Sequence, residues 1–93
     1  MTIQEEIDMW IYGLTMGYCF YCGNRLAFHN RRAGQRAAWQ GDHFVPFSRN
    51  GANQLWNMVP ACVKCNTKKA DLMPWEYEPD RFTFGDRNPW NYL

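Results

Sequence analysis

The residues predict a small α+β domain stapled by a metal. Three features carry that reading: two Cys-x-x-Cys pairs, an amphipathic opening segment with a helix-capping signature, and short β-prone runs between the pairs. A chain of 93 residues makes one domain, expected to run from residue 1 to residue 93. A core that small leaves folding marginal, so a staple is needed.

Taken in order, Thr2-x-x-Glu5 forms a capping box. Behind it Ile3, Ile7, Trp10 or Ile11, and Leu14 recur at helical spacing, which predicts a helix over 3–14 broken near Gly13 and Gly17. Tyr18 to Gly23 reads as a knuckle, a tight turn with a cysteine on each side. Residues 25–29 are expected as a first strand, 30–35 as a loop and 39–47 as a second, antiparallel strand, with Pro46 near its end. Ser48 to Gly51 is a turn signal. Asn53 is expected to cap a short helical turn, and Pro60 to open a helix running to Leu72. The segment after Pro74 is an aromatic-rich tail (Trp75, Tyr77, Phe82, Phe84, Trp90, Tyr92), expected to wrap back as irregular structure or to serve as an interaction tail.

The net charge of +1 conceals a sharp asymmetry. Residues 24–69 carry Arg25, Arg31, Arg32, Arg36, Arg49, Lys64, Lys68 and Lys69 against Asp42 alone, while both flanks are acidic. A basic middle is either a solvated face or the footprint of a polyanion partner. No stretch approaches the roughly 18 apolar residues of a membrane span. The start is acidic where a secretory leader would be basic. A reducing cytoplasmic setting is the expectation, and there paired cysteines mean metal more often than disulfide.

Cys19, Cys22, Cys62 and Cys65 offer four thiolates, a set that suits tetrahedral Zn²⁺. Free thiols and redox pairs are the alternatives, although two redox pairs in one tiny domain would be unusual. A closed Cys₄ site has no open position, so such a zinc holds shape and leaves chemistry to other residues. The 39 residues between the pairs must contain another element.

That interval holds Asp42-His43, then Asn57 fourteen residues after His43 and Asn66 nine after Asn57. With Cys19-Phe-Tyr-Cys22-Gly before them, Gly41-Asp42-His43-Phe-Val-Pro46 around them, and Gly51-Ala-Asn53-x₃-Asn57-Met-Val-Pro60-Ala-Cys62-Val-Lys-Cys65-Asn66-x-Lys68-Lys69 after, the chain resembles the HNH endonuclease family in its zinc-knuckle form. The resemblance covers residues 19–69. It implies a ββα-metal (His-Me finger) fold and a metal-dependent nuclease. It also implies roles: Asp42 as a metal ligand, His43 as the general base, Asn57 as the residue holding that base in orientation, and Asn66 as the second metal ligand, where many members have His.

The residues by themselves are compatible with this. Asp42 and Asn66 both offer oxygen, which suits Mg²⁺ or Mn²⁺. Imidazole changes protonation near neutral pH, as a base must. Successive side chains on a strand face opposite ways, so Asp42 and His43 can serve one site only if the strand twists or bulges. Each residue also has a plain structural reading: a surface histidine, a turn asparagine, an aspartate ending a strand.

Arg31, Arg32, Arg36, Arg49, Lys68 and Lys69 are the candidate nucleic-acid contacts, and His29 belongs to no motif. DNA is the expected partner, with RNA not excluded and no membrane. Nicking of low intrinsic specificity is the expected activity, with a larger protein partner for targeting in a packaging, restriction, mobile-element or defence setting. The competing readings are a non-catalytic zinc module that binds nucleic acid and a protein-interaction domain using the aromatic tail.

Overall fold

In the computed structural model, residues 1–79 and 81 are described. The elements in chain order are α1 (Ile3–Gly13), β1 (Trp39–His43), two 3₁₀ turns (Phe47–Arg49 and Leu55–Asn57), β2 (Met58–Cys62), α2 (Val63–Lys69) and α3 (Pro74–Tyr77). This is the α+β architecture expected, with a two-stranded antiparallel sheet crossed by α2 in the manner of a ββα-metal fold. No helix among the described residues is long and apolar enough to cross a membrane.

The capping box at the start of α1 forms as read. Thr2 Oγ1 accepts the Glu5 N–H at 3.1 Å and Glu5 Oε1 accepts the Thr2 N–H at 3.0 Å. Ile11 is the residue α1 buries most deeply, against a core of Phe20, Leu26, Trp39, Phe44, Val59 and Ala61. Tyr12 reinforces the join: its hydroxyl donates to the Leu26 carbonyl at 2.8 Å, and its ring meets Phe28 edge-on at 5.2 Å.

The sheet corrects the expected pairing. β1 pairs with β2, in the register Trp39↔Cys62 through His43↔Met58, and not with residues 25–29. Residues 25–29 contribute only a single bridge, Tyr18↔Arg25, which closes the knuckle. β1 ends at His43 and not at Phe47, because Pro46 leads directly into a 3₁₀ turn.

Pro60 lies in the middle of β2 instead of opening a helix. The reason is geometric. Its carbonyl points away from β1 and accepts the Phe20 N–H at 2.8 Å. A strand residue's N–H and C=O share a side, so the donor that proline lacks is one β1 would not have used. The helix therefore begins only after Cys62, whose sulfur caps it by accepting the Cys65 N–H at 3.3 Å.

Between the strands, residues 44–57 form a loop folded tightly on itself. A Cβ on Gly51 would stand 1.8 Å from the Val45 carbonyl oxygen, so only glycine fits there. Asn53 caps nothing: the second 3₁₀ turn begins after Gln54, without a side-chain cap. Trp75 and Tyr77 of α3 pack on the core, while Phe82, Phe84, Trp90 and Tyr92 lie outside the described residues.

Candidate metal and catalytic centre

The knuckle and the β2–α2 junction bring four sulfurs together. All four lie within 4.8 Å of one another, and Cys22 Sγ is 3.8 Å from Cys62 Sγ. Zn–S bonds of about 2.3 Å at tetrahedral angles put neighbouring sulfurs about 3.8 Å apart. The separation is too long for a disulfide. The Cys19 sulfur accepts N–H groups from Cys22 at 3.5 Å and Cys62 at 3.3 Å. Burial works against a Cys19 thiolate, but these N–H groups and that of Tyr21 hold its pKa below the usual thiol range. Burial pushes the Cys65 thiol well up, and the neighbouring thiols add to that. Four sulfurs in so small a space are a cation site by their own chemistry.

A cavity of about 340 Å³ lies on the other side of the junction, lined in part by Asp42, His43, Phe47, Asn66 and Asp71. The structure therefore brings together three of the four residues singled out on the strand and helix. Gly41, Asp42 and His43 are consecutive and all line it, although the register through β1 is regular and contains no bulge.

Asp42 is 5% exposed. Its Oδ2 accepts the Tyr21 hydroxyl at 2.5 Å and lies 3.2 Å from Lys69 Nζ. Among the described residues Oδ1 has no partner. Burial raises the Asp42 pKa and lowers that of Lys69, while each charge partly offsets the penalty on the other. Tyr21, which donates to the same carboxylate oxygen, is pushed well above its usual range by burial and the adjacent carboxylate. The side-chain amide of Asn66 also takes no partner among the described residues. Asp42 and Asn66 both line the cavity and both carry side-chain oxygen, a donor type that fits a hard divalent cation.

His43 is held from the loop. Its Nε2 lies 3.0 Å from Asn53 Oδ1. An amide oxygen only accepts, so in this contact Nε2–H is the donor. The expected contact from Asn57 is not made. Asn57 is 1% exposed, and its side chain is spent on backbone: Oδ1 accepts the Val45 N–H, and Nδ2 donates to the Val45 and Ala52 carbonyls, each at 2.9 Å. It pins Ala52, the neighbour of Asn53, and so acts on His43 at one remove.

Lys69 also differs from expectation. It is fully buried, donates to the His43 carbonyl at 3.0 Å and pairs with Asp42, so it cannot meet a nucleic acid. Arg31 is engaged internally, with Asp8 at 2.7 Å and over the Trp39 ring at 3.8 Å. Arg49 pairs with Glu76. Arg32, Arg36 and Lys68 remain exposed.

A model of HNH endonucleases matches residues 19–72 of the chain. The chain belongs to the HNH endonuclease family. The match spans both halves of the sulfur cluster and every residue of the cavity named above. A search of curated proteins finds no match.

Sequence reasoning missed Asn53, Tyr21, Lys69 as an anchor, and Asp71. Tyr21 carried a signal, since a residue between two clustered cysteines must lie beside whatever they pack on. Asn53 stands within the string that carries the resemblance, but nothing local marked it as the partner of the imidazole.

Proposed function

We propose that this HNH domain hydrolyses phosphodiester bonds in DNA, cutting one strand per encounter with little intrinsic sequence preference. The observation that carries this reading is the common opening of Asp42, Asn66 and His43 into one cavity. Zn²⁺ is assigned to Cys19, Cys22, Cys62 and Cys65, and Mg²⁺ or Mn²⁺ to Asp42 and Asn66. When bound, the divalent cation would stabilise the negative charge that grows on the phosphate and the leaving oxygen.

His43 is the general base. With Nε2–H given to Asn53, Nδ1 takes a proton from the attacking water as the new P–O bond forms and the old one breaks. Asn57 is a positioning residue that holds the loop carrying Asn53. Tyr21 and Lys69 fix Asp42 through Oδ2, so that its other oxygen points consistently into the site. The sulfur cluster does the same for Asn66, which follows Cys65 directly. Exposed Arg32, Arg36 and Lys68 are the proposed backbone contacts, replacing the wider set the sequence suggested. A single small site with so few base-reading candidates accounts for low specificity, and a larger partner would supply targeting.

The test is nicking of supercoiled plasmid by the zinc-loaded protein with Mg²⁺ or Mn²⁺. His43→Ala is expected to abolish nicking while gel-shift binding to the plasmid survives. Nicking by His43→Ala at the parent's rate would refute the assignment and favour the non-catalytic zinc module.

A further inference from the structure

Phe47 lines the cavity shared by Asp42, His43 and Asn66 and lies outside the buried core. It is 65% exposed and makes one described ring contact, with His43. That contact has centroids 5.9 Å apart and planes inclined at 54°, so the phenyl face is not covered by the imidazole. Scattered exposed apolar side chains are ordinary. This one differs in its mounting and its place.

The mount is rigid. Phe47 opens a 3₁₀ turn in which the Pro46 carbonyl accepts the Arg49 and Gly51 N–H groups, both at 2.9 Å, and the Phe47 carbonyl accepts the Asn50 N–H at 3.2 Å. Asn57 clamps Val45 on the preceding side from both its N–H and its carbonyl. Pro46, which precedes the ring, is buried, and Gly51 packs so closely on the Val45 and Pro46 backbone that a Cβ would not fit, so the loop is tightly closed around the turn that carries Phe47. A fixed, solvent-facing aromatic therefore stands beside the imidazole that would activate water.

We propose that Phe47 is a stacking platform for an unpaired base next to the scissile phosphate, which makes single-stranded DNA the preferred substrate of this site. The inference rests on the hydrolytic reading of the cavity. A phosphate brought to His43 carries an adjacent base to within reach of the ring. Every base has a π-face, so such a platform gains affinity without reading sequence. In an intact duplex both faces of each base are already stacked, and using the ring would first cost the unstacking of a step. The ring thus favours strands whose bases are free, and it fits a site that has no element for reading a groove.

Binding is measured with the His43→Ala protein in Mg²⁺. The probes are a single-stranded oligonucleotide of about 12 nucleotides carrying 2-aminopurine and the blunt duplex of the same sequence. Tighter binding of the single strand is expected, with quenching of the 2-aminopurine. Adding Phe47→Ala should weaken single-strand binding about tenfold and remove the quenching, with less effect on the duplex, while Phe47→Trp retains both. Phe47→Leu, which keeps apolar bulk without a π-face, should fall between them and serves if the alanine variant misfolds.

Single-strand affinity in Phe47→Ala within about twofold of the parent would overturn the proposal, because a ring that only screens the imidazole, or docks a protein, predicts that result. Equal weakening on both probes would also overturn it. Persistent nicking by His43→Ala would instead overturn the catalytic assignment and leave the binding comparison intact.

Discussion

Replacing Lys69 by methionine keeps most of the side chain's volume and deletes its charge. In the native chain the ammonium is fully buried, 3.2 Å from Asp42 Oδ2 and 3.0 Å from the His43 carbonyl. The variant leaves a carboxylate that is 5% exposed with Tyr21 alone, and a strand-end carbonyl without its donor. Removing one partner of a buried ion pair costs about 3–5 kcal/mol. An orphaned buried polar group costs about 1–3 kcal/mol. The two overlap, since Asp42 can escape its penalty by taking up a proton, a direction in which burial already pushes it. A net loss of about 3 kcal/mol follows, a large part of the roughly 5–15 kcal/mol that holds a domain together. Urea unfolding of the zinc-loaded protein without Mg²⁺ measures it. Adding Asp42→Asn to Lys69→Met should restore about half the loss, because the uncompensated charge then disappears. A loss below about 1 kcal/mol, or no recovery in the double variant, would refute the reasoning that this pair is a structural anchor.

Four further outcomes are expected. Asn53→Ala removes one neutral hydrogen bond worth about 0.5–1.5 kcal/mol, so kcat for nicking should fall about two- to tenfold with KM little changed, and Asn53→Asp, which keeps an acceptor, should rescue most of it; steady-state kinetics on plasmid decide this. Gly51→Ala drives a Cβ into the Val45 carbonyl, so the loop bearing Phe47 and Asn53 must rebuild, and nicking should be lost while the zinc-to-protein ratio stays at one. Ala70 closes α2 at φ 47° and ψ −120°, a conformation costly for a residue with a Cβ, so Ala70→Gly should raise stability by about 1 kcal/mol after glycine's own entropy loss, read as a higher thermal midpoint. Stripping the zinc with a strong chelator should abolish the cooperative unfolding transition seen by circular dichroism, and readdition of Zn²⁺ should restore it.

Local signals were legible where the chemistry is local. The α1 capping box involves Thr2 and Glu5 alone and formed as read. The knuckle turn, with glycine at 23, is equally self-contained. Pro60 misled because its preference for a helix start is a local tendency, whereas its place in β2 depends on which side of the strand faces β1. Asn57 misled similarly: its position was legible, but its partners, Val45 and Ala52, were set by how the intervening loop folds back. Lys69 looked like a surface cation beside Lys68, and only the crossing of α2 over β1 turned it inward toward Asp42.

By itself, then, the order of residues determined the family, the four clustered sulfurs and the grouping of Asp42, His43 and Asn66, because covalent spacing constrains what one turn or one helix can present. The tertiary structure decided which strand pairs with β1, which asparagine touches the imidazole, and which cations are buried or paired and which stay exposed. Those outcomes depend on long-range approach and burial, and two neighbouring lysines of one chemistry acquire opposite roles when a helix rests one on solvent and the other on a carboxylate.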